Sequence, residues 1–156
     1  MSYLISLIEK NESYKAFNIL LVKHRNKIES VLNEAQELAQ LANQKNPELG
    51  LKWYETLLEY LPNRIVCHMG YGNALIATNC LKQAEEFFKE TINKFPKAPK
   101  PWLRYAWIAE QKEEYQEAYK RYQEASKLFP NNSKIQSNFR KLDKKVNSNK
   151  ENHNIS

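Results

Sequence analysis

Glycine is nearly missing from this chain: 3 in 156 residues, at Gly50, Gly70 and Gly72. Phosphate-binding loops need closely spaced glycines followed by Lys and Ser or Thr. Gly70-Tyr71-Gly72 is the one close pair, nothing of that kind follows it, and no such loop is expected. Cysteine is scarcer still, as Cys67 and Cys80. About a helix length is expected between them, too far for a disulfide, so the pattern is not that of a bridged secreted scaffold. They read as a small buried residue and a turn residue of a reducing compartment, and a cytoplasmic location is the expectation. His24, His68 and His153 are scattered, none with Cys, Asp or Glu at metal-ligand spacing, so no metal or other cofactor is expected. No run of about 18 apolar residues could cross a membrane. The opening MSYLISLIEK has no basic segment ahead of its apolar residues and no small-residue cleavage site, and is not read as a signal peptide. Glu85-Glu86 and Glu113-Glu114 read as exposed helix faces rather than catalytic carboxylates, and an enzyme is not expected.

What the chain does have is a period. Pro62, Pro96 and Pro130 stand 34 residues apart, each after Leu or Phe. Eight places before each proline is an aromatic (Tyr54, Phe88, Tyr122), and four further back a small residue (Gly50, Ala84, Ala118). Such a period marks stacked helix–turn–helix units. The pattern of a bulky residue, a small one, Ala, an aromatic, Ala and Pro resembles the tetratricopeptide repeat (TPR) family over Val31–Asn132. That resemblance implies an all-α, TPR-type helix-turn-helix solenoid with capping helices.

The repeats are read as 31–64, 65–98 and 99–132. The third matches best, with Trp102, Ala106, Ala118, Tyr122, Ala125 and Pro130 in their places. In the second, His68 replaces the bulky residue and Thr91 the later Ala; in the first, Glu34, Leu38 and Leu57 depart. The eighth and twentieth places face each other in the family, which implies the pairs Leu38 with Gly50, Gly72 with Ala84, and Ala106 with Ala118. A large residue opposite one without a side chain keeps such a crossing filled. Gly70 is left unexplained. Asn43-Gln44-Lys45-Asn46, Thr78-Asn79 and Lys112-Glu113 read as turns between paired helices, with Pro47 in a first helical turn.

Residues 1–30 read as two helices. One has a face of Tyr3, Leu4, Leu7 and Ile8, and the other a face of Tyr14, Phe17, Leu20, Leu21 and His24 or Ile28, broken at Asn11-Glu12-Ser13. They form an N-terminal cap, either a degenerate repeat or an unrelated hairpin. Ile135, Phe139, Leu142 and Val146 give a capping helix at 133–147, since a solenoid must cover its open end. A disordered polar tail is expected at 148–156. The net charge of +6 is uneven: residues 133–156 hold six bases against two acids, leaving +2 for the rest. The basic end reads as a solvated cap, and nucleic acid is not expected as the partner.

In TPR proteins the first helices line a concave groove. The resemblance places Leu32, Ala35, Ala39, Ala42 and Asn43 there from the first repeat, and Val66, Met69, Asn73, Ile76 and Ala77 from the second. From the third it places Lys100, Leu103, Trp107, Glu110 and Gln111. The candidate partner-binding residues are Val66, Met69, Asn73, Lys100, Leu103, Arg104, Trp107 and Glu110. Their chemistry suits another protein, as an extended peptide or a helix with apolar anchors and an acidic group. Some family members clamp a chaperone's C-terminal carboxylate; Lys100 and Arg104 match part of that clamp, while Ala35, Ala39 and Gly70 replace the rest. The implied function is a non-catalytic protein–protein interaction module. The alternatives are a small chaperone for an apolar secreted or membrane partner, and a self-associating or RNA-processing scaffold.

Overall fold

The computed structural model describes residues 1–154, and every element in them is helical. Ile155 and Ser156, the end of the expected tail, lie outside the described residues. The chain divides into two compact units, Met1–Cys80 and Leu81–Ser156. The first holds α1 (Ser2–Glu9), α2 (Ser13–Lys23), α3 (Ile28–Lys45), α4 (Pro47–Tyr60) and α5 (Ile65–Ala77). The second holds α6 (Leu81–Lys94), α7 (Pro99–Gln111), α8 (Tyr115–Leu128) and α9 (Ser133–Asn154). The division falls inside the second sequence repeat. Within the first unit α5 packs on α4 as extensively as α3 does. When each helix packs on both chain neighbours, the unit of sequence and the unit of packing need not coincide.

The turns explain the period locally. Asn79 and Glu113 adopt left-handed backbone, with φ of 62° and 61°. Cys80 N–H then reaches back to Leu75 O (2.8 Å), and Glu114 N–H to Ala109 O (3.0 Å). This is the Schellman stop, which satisfies the last carbonyls of the preceding helix. Asn11 (φ 59°) with Glu12 N–H on Leu7 O (2.8 Å) repeats the geometry, two periods upstream of Asn79. The α1–α2 hairpin therefore turns in phase with the repeats. Between them, at Lys45, the helix continues instead. The expected turn 43–46 shrinks to Asn46, whose extended backbone precedes Pro47 and whose side chain accepts Glu48 N–H at 3.0 Å.

The first unit has a core in which Leu4, Leu7, Ile8, Ala16, Phe17 and Leu20 join Val31, Leu38, Trp53 and Leu57. Tyr3 and Tyr14, expected on the inward faces of their helices, are 66% and 47% exposed. Of the two residues read as ending the second stripe, Ile28 packs on this core, while His24 is hydrogen-bonded to Glu34 at 2.6 Å. In the second unit Ala106, Ala118, Tyr122, Leu142 and Val146 form the core, with Tyr119 and Phe139 tilted together at 5.3 Å. Thr91, standing for an Ala, is buried and donates its hydroxyl to Phe87 O at 2.8 Å. Helix α9 passes the expected limit of 147 and runs to Asn154. No Gly or Pro interrupts it, and Asn147 and Ser148 bond back to Asp143 and Lys145.

Two of the glycines stand where a neighbouring side chain leaves no room for a Cβ. A Cβ on Gly50 would lie 1.6 Å from Asn43 Oδ1, so the Asn43 amide fills that space. A Cβ on Gly70 would lie 1.9 Å from Tyr54 Cε1, so Gly70 is the seat of that ring where α5 meets α4. The two positions predict opposite responses. Gly70→Ala should destabilise by about 2 kcal/mol, because a half-buried ring cannot leave cheaply and overpacking outweighs the roughly 1 kcal/mol gain in helix propensity. Gly50→Ala should be near neutral, since a short amide can swing away. Urea denaturation of both variants checks this, and equal midpoints would remove the Tyr54 assignment.

Candidate functional site

Each unit presents a stretch of the expected surface. On α5, Val66, Met69 and Asn73 recur at spacings of three and four, so they share one stripe. All three are half-buried. Asn73 Oδ1 is itself buried and accepts no hydrogen bond from a described residue. What Asn73 can offer a ligand is thus its amide NH2, not the carbonyl.

On α7, Lys100 is exposed, while Leu103, Arg104, Trp107 and Glu110 are half-buried along one face. Leu103 packs against the core of its own unit. The Arg104 guanidinium lies 5.7 Å from the Trp107 ring centroid, a cation–π distance. Glu110 is engaged inside the fold, its Oε2 accepting the Tyr122 hydroxyl at 3.2 Å. Burial first, then the Glu110 carboxylate, pushes the Tyr122 phenol well above its ordinary range. Lys100 and Arg104 make no ion pair with any described carboxylate. The structure thus brings Lys100, Leu103, Arg104 and Trp107 together and commits Glu110 to the fold.

The first repeat's share of the groove is overturned. Leu32, Ala35, Ala39 and Ala42 are all buried, in the same core cluster as the apolar residues of α1 and α2. Small side chains on a first helix let another helix approach closely, and here they are core rather than floor.

Several polar constellations escaped the sequence reading. Glu85 is no exposed acid: its Oε1 pairs with Arg121 at 2.7 Å and its Oε2 with Lys112 at 2.8 Å. Arg121, 8% exposed, also reaches Glu117 (2.9 Å) and Tyr105 O (2.9 Å), and lies 3.6 Å from the Tyr105 ring centroid. In the first unit Glu34 accepts from Lys23 at 2.7 and 2.8 Å and from His24 at 2.6 Å. These groups edge an open pocket of about 400 Å³ with Met1, Ser30, Asn33 and Glu37. Lys23 and His24 in it are both hydrogen-bonded to Glu34. Among the described residues no group of three His, Cys, Asp or Glu could hold a metal ion.

Both carboxylates are held below the usual range. Burial resists ionisation of Glu85, but hydrogen bonds from Lys112 and Arg121 outweigh it. For Glu34 the Lys23 hydrogen bond is the largest cause, opposed by burial and helped by His24. A lowered carboxyl contributes stability above its unfolded value of about 4.5, and that contribution is lost as pH falls through the folded value. The urea midpoint should therefore hold between pH 7 and 5 and decline below about 4.5. In Glu34→Gln/Glu85→Gln the decline should be shallower; an unchanged slope would remove both assignments.

One interaction keeps the 34-residue step. His68 Nε2–H donates to Pro62 O at 2.7 Å, and Trp102 Nε1–H points at Pro96 O from 3.4 Å. Trp53 donates Nε1–H to Ala35 O at 2.8 Å; Arg121, two periods on, also donates to a carbonyl of a neighbouring helix, but that of Tyr105, two residues out of step with Ala35. The backbone superposes on a TPR domain of OM64 from Arabidopsis with a TM-score of 0.60, over 72% of this chain and 93% of that one, at 20% identity. The Sgt2 TPR domain from Aspergillus fumigatus gives 0.62, over 76% and 82%, at 17% identity. The chain has the tetratricopeptide-repeat fold. No protein-family model and no curated protein matches it. Within the first unit α3 packs on α4, and within the second α7 packs on α8. No described helix of this chain is long and apolar enough to cross a membrane.

Proposed function

We propose that this TPR chain is a non-catalytic protein–protein interaction module that recognises an extended or helical segment of a partner. The observation that carries the reading is the α7 face. Lys100 and Arg104 have no described carboxylate partner there, and Arg104 sits over a half-exposed Trp107. Aromatic and Arg anchors of this kind dominate protein interfaces. An apolar side chain on Trp107 next to an acidic group on Lys100 and Arg104 is the ligand chemistry this face fits. On α5, in the other unit, the Val66–Met69–Asn73 stripe is a separate candidate surface with adaptable apolar contact and one amide donor. The fold alone would not carry this reading, since one fold serves many functions.

The test uses the full chain as bait, with Trp107→Ala and Arg104→Gln beside it. Leu103 is kept, because it packs on the core. A bound protein should be lost about tenfold with Trp107→Ala and severalfold with Arg104→Gln, with melting curves unchanged. Capture that ignores both substitutions would refute the assignment of the α7 face.

A further inference from the structure

We propose that the solvent face of α9 is a sequence-independent binding site for nucleic-acid phosphates. The helix has two sides. Ile135, Leu142 and Val146 are buried and Phe139 packs on Tyr119, which fixes the side turned to the protein. Lys134, Lys141 and Lys145 recur at spacings of seven and four, so they form one row about 16 Å long. Arg140 and Lys144 lie beside it, and all five are exposed.

None of these cations pairs with a described carboxylate. Arg140 Nε bonds to Gln136 O at 3.3 Å, and Lys145 Nζ lies 4.2 Å from the Tyr115 ring centroid. The acids of α9 do not quench the row: Asp143 faces the other flank, engaged by Asn147 at 3.1 Å, and Glu151 lies beyond its end. Lys141 with Lys145, and Arg140 with Lys144, are like charges four apart, which destabilise a helix by a few tenths of a kcal/mol each. Folding alone would favour an acid at one of each pair. A ligand that brings the negative charge resolves the conflict.

The row selects among anionic partners. A protein interface needs apolar or aromatic anchors and is poor in Lys, and this face has no anchor to give. A bilayer surface takes up basic helices through apolar residues alongside, and those of α9 are spent on α8. A phosphate backbone needs only a line of cations, and lysines that touch phosphates read no bases. This departs from the solvated cap expected above, because the composition did not reveal that the acids lie off the row.

The experiment is fluorescence anisotropy with a labelled RNA duplex of about 20 base pairs, titrated with the full chain between about 50 and 200 mM KCl. Lys134→Gln/Lys141→Gln/Lys144→Gln is compared with Lys10→Gln/Lys89→Gln/Lys97→Gln, which removes the same charge from exposed sites elsewhere. Circular dichroism confirms that both stay folded. Wild type should bind with a steep salt dependence. The α9 variant should lose at least tenfold and flatten the log–log slope by about 2 to 3, near one per phosphate contact removed, while the control stays within about twofold of wild type. Equal losses in both variants, no binding at 50 mM salt, or polyglutamate or anionic vesicles competing as well as unlabelled duplex would overturn the proposal.

Discussion

Arg121→Ala is expected to destabilise the chain by about 3 kcal/mol, the order found when one member of a buried ion pair is removed. In a chain of this size that corresponds to a fall in the thermal midpoint of roughly 6–12 °C. Arg121 uses three nitrogens on three elements: Nε on Glu117 of its own helix, Nη1 on Tyr105 O of α7, and Nη2 on Glu85 of α6. Its plane also covers the Tyr105 ring. Alanine would leave Glu85, whose side chain is 15% exposed, with Lys112 alone. Arg121→Lys keeps the charge but not the fork or the stack, and should recover less than half of the loss. Glu85→Gln/Arg121→Met removes both charges and should lie closer to wild type than Arg121→Ala, because the burden is an uncompensated charge rather than a lost attraction. Thermal melts of the four proteins decide it. A double variant as unstable as Arg121→Ala would show that packing, not charge, is the contribution.

The second large effect is expected at Trp53, the largest fully buried side chain. Trp53→Ala should cost about 3–5 kcal/mol through the cavity it leaves. Loss of the hydrogen bond to Ala35 O adds to this. Trp53→Phe separates the two contributions. It keeps most of the apolar contact and loses the donor, and about 1–2 kcal/mol is expected. The measurement is the urea midpoint together with the quenching of near-ultraviolet ellipticity. A Phe variant as damaging as Ala would assign the position to the hydrogen bond.

The all-α architecture was legible because a 34-residue period needs no knowledge of contacts. Pro47, Asn46 and the turns at Asn79 and Glu113 were equally legible, since their causes lie within a few residues. What escaped depended on a helix that the period does not mention. Gly70 has its reason in Tyr54, on another helix. Ala35, Ala39 and Ala42 stand at groove places of the pattern, but a pattern cannot show that they share a core with the apolar residues of α1 and α2. Of the candidate site, Lys100, Leu103, Arg104 and Trp107 were readable as one helical face. Glu110 was not readable as a partner of Tyr122, because that bond crosses from one helix to the next. Arg121 carried a signal that went unread: it stands two periods from Trp53, with Phe87 between them.

At one place of the repeat the acceptor is a main-chain carbonyl, that of Pro62 and then Pro96, and the donor changes chemistry from imidazole to indole. A carbonyl oxygen exists whatever residue carries it, so drift in side-chain identity does not erase the place where a donor is wanted. The chain can therefore wander far in letters while its main chain stays in register. Comparison of residues loses such a fold long before comparison of backbones does.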